Sequence, residues 1–240
     1  MCPYARVLMR LSAAVLAATV AACATRPSPA PATTPAAAAA NTPDLPIGSS
    51  IDADTLLADV RALDSTIVVS LRYATPDNFT GAPLPGYGAN RALLRREAAA
   101  ALARVQRALA DSGWSLQVWD AYRPVRATLA MVEWTRRAGR EDLLRDGYIA
   151  SRSRHNLGLA IDLTIVEKGT GAELDMGTAF DTFTLGAHTA NASGEPARNR
   201  ARLVNAMEAE GFVNYDQEWW HFSFPVVQPL RFDVPITAAR

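Results

Sequence analysis

The chain has 240 residues with 24 basic and 24 acidic side chains, so its formal charge is zero. That balance leaves no electrostatic footprint for nucleic acid as a partner. Its cysteines are Cys2 and Cys23 alone; both precede the folded part, so the mature domain has no disulfide to form.

The N-terminus reads as an export signal over residues 1–22. Arg6 and Arg10 supply the positive start, Leu11 to Ala22 the apolar run, and small residues precede Cys23. The run is shorter than the roughly 20 apolar residues that span a bilayer. Val20-Ala21-Ala22-Cys23 resembles a lipobox, which makes Cys23 the expected site of lipidation; cleavage after another small residue is the competing reading. Residues 24–46 are mostly Ala, Pro, Thr and Ser with nothing to bury, the composition of a tether. The expected location is therefore the bacterial envelope, lipid-anchored on the periplasmic face. Ala24 after the cysteine favours the outer membrane if the organism is diderm.

The folded domain is expected over residues 47–240, about 190 residues and enough for one substantial core. Ile67 to Tyr73 is β-branched and reads as a strand, ended by Thr75-Pro76-Asp77-Asn78. Phe79 to Asn90 is a long Gly/Pro-rich loop of the kind often used for binding. Arg91 to Ser112 has helical spacing, with Leu93, Leu94, Leu102, Val105 and Leu109 on one face and Gly113 as the stop. Trp114 to Trp119 alternates as a strand, and Pro124 opens a second helix ending near Arg137. Gly158 to Val166 is an apolar strand, followed by a hairpin connection from Glu167 to Leu174. Pro196 to Glu210 is a third helix capped by Gly211, and Phe212 to Phe224 returns as one or two short strands. Strands and helices mix without regular alternation or repeat. The fold class is therefore α+β, one domain with a mainly antiparallel sheet flanked by helices and the site at the sheet.

The chemistry sits in two clusters, Ser153-Arg154-His155-Asn156-Leu157-Gly158-Leu159-Ala160-Ile161-Asp162 and Glu218-Trp219-Trp220-His221. Either alone has a bland reading, since buried histidines commonly bond a carbonyl and an Asp often only forms a turn. Yet two of the chain's three histidines fall here, each with an acid nearby. His155, Asp162 and His221 form a three-ligand set for one zinc ion with a fourth position left for water. Other divalent metals are compatible with the same donors. Glu218 is the spare acid suited to act as base for that water. Residues seven apart on a regular strand face opposite ways, so His155 and Asp162 require a bend, which Gly158 permits. Glu218 and His221 are three apart, which places Glu218 just before the strand, beside the metal and not bonded to it. His188 matches neither cluster and reads as structural or exposed. Trp219 and Trp220 are expected to pack beside the metal and hold His221.

These motifs resemble the D-alanyl-D-alanine dipeptidases of the VanX type, relatives of the zinc D,D-carboxypeptidases. The resemblance spans nearly the whole domain: Arg72-Tyr73-Ala74-Thr75, Asp77-Asn78-Phe79-Thr80-Gly81, Gly86-Tyr87, Asn90-Arg91, Trp119-Asp120-Ala121-Tyr122-Arg123-Pro124 and Asp175-Met176-Gly177-Thr178-Ala179-Phe180-Asp181 occur in the family's order. It implies one zinc per chain on His155, Asp162 and His221, with Glu218 as acid/base catalyst. It further implies Arg123 at the oxyanion, Tyr73 and Asp181 at the substrate ammonium, and Ser153 and Tyr87 near its carboxylate. A dipeptide is a zwitterion, and a closed pocket must pair both charged ends. Arg154 departs from the family pattern, standing where a second small hydroxyl residue is expected. Export also separates this chain from the cytoplasmic resistance enzymes, because an exported dipeptidase cannot deplete a cytoplasmic pool. Turnover or salvage of the dipeptide is the expected role, with no protein partner inferred. The alternatives are a D,D-carboxypeptidase or other peptidoglycan peptidase acting on longer stem peptides, and a non-catalytic binding lipoprotein.

Overall fold

The computed structural model describes residues 45–226 and 230–238. The signal, Cys23 and the tether as far as residue 44 lie outside the described residues. Leu45 and Pro46, expected as the end of the tether, belong with the domain: their carbonyls accept hydrogen bonds from Arg231 at 2.7 Å and 3.1 Å.

The first elements are α1 (Ser50–Leu56), β1 (Leu57–Asp59) and α2 (Val60–Leu63). Sequence periodicity did not reveal them because each is short. Ser49 and Asp52 nonetheless form a capping box at the start of α1, a local signal present in the sequence. The expected strand over 67–73 is reduced to β2 (Val68–Val69), after which a 3-10 turn spans Arg72–Ala74. Asn90 cuts the strand short: its side chain accepts from Leu71 N and donates to Val69 O, replacing a strand partner.

The long helix begins at Arg96, not Arg91. Leu93–Arg95 forms β3, paired antiparallel with β1, and α3 runs over Arg96–Ala110. Tertiary hydrogen bonds override helical spacing here: Arg95 N donates to Gly158 O at 2.8 Å and Leu93 O accepts from Tyr122 N at 2.8 Å. β4 (Trp114–Asp120) and α4 (Val125–Arg137) follow, with Pro124 at the α4 N-cap. The short α5 (Asp142–Arg145) precedes β5 (Ala160–Glu167), and Glu173 bridges back to Val166 as the expected hairpin return. α6 (Gly194–Ala209), β6 (Val213–Tyr215) and β7 (Glu218–Ser223) complete the domain.

The main sheet has the order β2-β4-β5-β7-β6. Only β2 and β4 run parallel; the other neighbouring pairs are antiparallel, as the α+β expectation required. β5 is central and buried along almost its whole length, which explains its continuous apolar character. Helices α3 and α6 pack on each other and onto the sheet, with Leu102, Val105, Leu203 and Met207 fully buried. Among the described residues no helix is long and apolar enough to cross a membrane.

Candidate active site

Three neighbouring strands set the site side by side. Asp120 on β4 pairs with Asp162 on β5, and Asp162 pairs with His221 on β7. The register on β4 shifts between Val118 and Asp120, a bulge of the kind that re-aims a side chain.

His155 arrives from outside the sheet, on a 3-10 turn over Arg154–Leu157. Ser153 caps that turn, its hydroxyl accepting from His155 N at 3.2 Å. Gly158 ends the turn at φ 66°, ψ 27°, which supplies the expected bend. A β-carbon there would meet Leu57 Cδ2 at 2.5 Å, so both conformation and space favour glycine. Asn156 ties the turn inward by donating to Arg123 O at 2.8 Å and Thr128 Oγ1 at 2.9 Å.

Glu218 differs from the sequence expectation: it is the first residue of β7, not a residue before it. It shares a face with His221 because the β6–β7 register breaks. Asn214 pairs with Phe222, whereas Tyr215 pairs with Glu218, leaving Trp219, Trp220 and His221 bulged. Asn214 fills the gap by donating to Glu218 O at 3.2 Å and His221 O at 3.0 Å. Alternation fails locally, and both side chains reach the same centre.

The donors of His155, Asp162 and His221 lie within 4.8 Å of one another. His155 Nδ1 is 2.6 Å from Ala121 O, so its N–H donates there and Nε2 is left with a lone pair. That Nε2 lies 3.2 Å from His221 Nδ1 and 3.4 Å from Asp162 Oδ2, while His221 Nδ1 is 2.9 Å from Asp162 Oδ1. Two imidazole nitrogens converging beside a buried carboxylate suit a tetrahedral zinc ion. Burial alone would raise the Asp162 carboxyl, but His155 and His221 outweigh it and hold it below the usual range. Burial lowers the His221 pKa, favouring the neutral form that binds metals.

Glu218 Oε2 stands 3.7 Å from His221 Nδ1, beside the three donors. Its pKa is raised well above the usual range by burial and by the charges of Asp162 and Asp181. Arg123 is buried and fixed by Asp120, with Nε 2.9 Å and Nη2 2.7 Å from Oδ2. Its guanidinium also lies over the Tyr73 ring at 5.0 Å. Tyr73 donates its hydroxyl to Asp181 at 2.9 Å. Burial first, then the charge of Asp162, pushes the Asp181 carboxyl up to about 8.

Asp120 had no role in the sequence reading, although it lies in the Trp119–Pro124 motif. It is fully buried and accepts from Arg123 and from Tyr87, whose hydroxyl is 2.6 Å away. The oxygen that Arg123 bonds, Oδ2, is also 3.4 Å from His155 Nδ1. One carboxylate thus steadies both the arginine and a metal-facing histidine. The signal was an Asp three residues before the Arg, invisible as chemistry until the fold buried the two against each other.

A cavity of about 720 Å³ opens over this centre, and Tyr73, Arg123, Ser153, Asp181 and Glu218 line it with the three donors. Tyr87, expected at the substrate carboxylate, does not line it, because its hydroxyl is committed to Asp120. Arg154 reaches the rim and donates to Phe224 O at 2.6 Å. His188 is half-buried, 3.2 Å from the Tyr148 hydroxyl and outside the metal cluster. Trp219 and Trp220 are both buried, in edge contact with each other.

The chain is similar to the D-alanyl-D-alanine dipeptidase of Enterococcus faecium, with 38% identity over 166 residues covering 63% of this chain and 82% of the relative. The Streptomyces coelicolor enzyme of the same name is 36% identical over 197 residues, 75% of this chain and 97% of the relative. The Escherichia coli one is 36% identical over 173 residues, 71% and 86% respectively. The profile of the M15 peptidases described as D-Ala-D-Ala dipeptidases matches residues 53–232, a stretch containing every side chain of the centre just described, and the chain belongs to that family.

Proposed function

We propose that this chain hydrolyses free D-alanyl-D-alanine at the bacterial envelope, with one zinc ion held by His155, Asp162 and His221. Family membership makes it a zinc metallopeptidase. The observation favouring a free dipeptide over a longer stem peptide is Asp181. This carboxyl lines the cavity with only the Tyr73 hydroxyl bonded to it, and no cation is within ion-pair distance among the described residues. A carboxylate so placed is matched by a substrate ammonium, which an acylated stem peptide lacks.

Zinc at the three donors would supply a Lewis acid that polarises the scissile carbonyl and lowers the pKa of a water toward ~7. Glu218, beside that position, accepts the proton of the attacking water and returns it to the leaving amine. Arg123, prevented from turning away by Asp120, offers N–H groups to the oxyanion as charge develops. Asp181 and Tyr73 hold the substrate ammonium. Ser153 stands on the wall where the substrate carboxylate is expected, with Arg154 at the rim as an added positive charge.

Acetylating the dipeptide tests the substrate assignment. Loss of one charge-assisted ammonium contact should lower kcat/KM by about 10- to 100-fold. Equal rates on free and acetylated D-Ala-D-Ala would transfer the assignment to a carboxypeptidase.

The envelope location rests on the sequence: the short apolar run, Val20-Ala21-Ala22-Cys23 and the tether beyond it. With the enzyme outside the cytoplasm, dipeptide released in the envelope is the available substrate. Mass spectrometry of the membrane fraction should find the mature chain starting at acylated Cys23. An unmodified Cys23 or a start elsewhere would defeat the anchor.

A further inference from the structure

We infer that Arg200 on α6 is a positioning residue for the substrate ammonium site, acting through the loop that carries Asp181; this rests on the reading of Asp181 given above. Arg200 is 2% exposed, so its charge has been taken out of water. Its N–H groups donate to backbone carbonyls: Nε to Met176 O at 2.7 Å, Nη1 to His188 O at 2.7 Å and Nη2 to Gly186 O at 2.9 Å. Met176 lies where the loop leaves and Gly186 and His188 where it returns. Between them stand Asp181 and Phe183, both on the cavity wall. One planar guanidinium therefore closes the neck of the loop whose far part faces the substrate.

Neighbouring contacts lock the same neck. Asn199, also on α6, donates to Asp175 O at 2.9 Å, and Trp219 Nε1 donates to Thr178 Oγ1 at 2.9 Å. The Arg200 guanidinium lies 5.8 Å from the Trp219 ring centre, joining the clamp to β7. A clamp matters because Asp181 sits at φ 57°, a left-handed conformation for a non-glycine residue. Such a conformation persists only when its surroundings hold it. If the neck slackened, the backbone would relax and swing the carboxylate from the ammonium position. Lysine cannot substitute, since one nitrogen on a flexible stem lacks the planar fork that serves three separate acceptors.

The test uses the full zinc-loaded chain with Arg200→Lys, Asp181→Asn and both together. Arg200→Lys should raise KM for free D-Ala-D-Ala by about tenfold while kcat stays within roughly threefold, the signature of a lost ground-state contact. Zinc content should be unchanged. Turnover of the acetylated dipeptide, which has no ammonium, should equal that of the unaltered enzyme. Because Arg200 acts through Asp181, adding Arg200→Lys to Asp181→Asn should raise KM no further. Additive KM effects, or an equal loss on free and acetylated substrates, would overturn the inference. Should Arg200→Lys not fold, Gly177→Ala loosens the neck from the other side: its β-carbon would come within 3.1 Å of Pro196 Cβ, at φ 83°. The same rise in KM is expected there, and an unchanged KM overturns the proposal. If Asp181→Asn alone leaves KM unchanged, the ammonium reading falls and takes this inference with it. An effect at Asp181 without one at Arg200 or Gly177 sinks the clamp alone.

Discussion

Glu218→Gln should retain bound zinc and lose about 10²- to 10⁴-fold in turnover, the usual worth of general acid/base catalysis. The substitution keeps the side chain's volume and removes its basicity. The Glu218 carboxylate is beside the three converging donors but 3.7 Å from His221 Nδ1, so the metal set does not require it. The β7 backbone should also hold, because Asn214 bonds the carbonyls of Glu218 and His221 and not the carboxylate. Metal analysis and dipeptide turnover on the same sample decide the matter. Near-normal activity in the variant would sink the proposed mechanism, and loss of zinc would make Glu218 a ligand.

His221→Ala should fail at the earlier stage of metal binding. Its Nδ1 is 3.2 Å from His155 Nε2 and 2.9 Å from Asp162 Oδ1, at the middle of the donor set. Removing even an outer partner of a metal ligand costs about 10- to 100-fold in affinity, so losing a ligand outright should cost at least that. Zinc content after dialysis against a competing chelator should fall with activity, and adding excess zinc should restore only part of the turnover. Full zinc retention by His221→Ala would show the ligand set to be wrong. The paired variants thus separate holding the metal from using it.

Much of this organisation was legible in the sequence because its signals are local. Leu102, Val105 and Leu109 marked α3 by their spacing, the β-branched and aromatic runs marked β4 and β5, and Gly158 announced the bend that lets His155 and Asp162 converge. The metal candidates stood out by residue type, two histidines each with an acid nearby in a chain with three histidines in all. Other features depend on partners distant in the chain. Leu93–Arg95 left its helical pattern because β1, Tyr122 and Gly158 claimed its backbone, and Val68–Val69 stopped short because Asn90 took the strand's hydrogen bonds. Only the folded sheet put Asp120 behind both Arg123 and His155, drew Tyr87 off to that carboxylate, and brought Glu218 and His221 to one face through a bulge filled by Asn214. The chain's sequence by itself determined which side chains could do zinc-peptidase chemistry, since donor type and local bends are properties of neighbouring residues. Their exact division into metal-facing, proton-moving and supporting groups was decided by tertiary structure, because it turns on strand register and on which buried groups find partners.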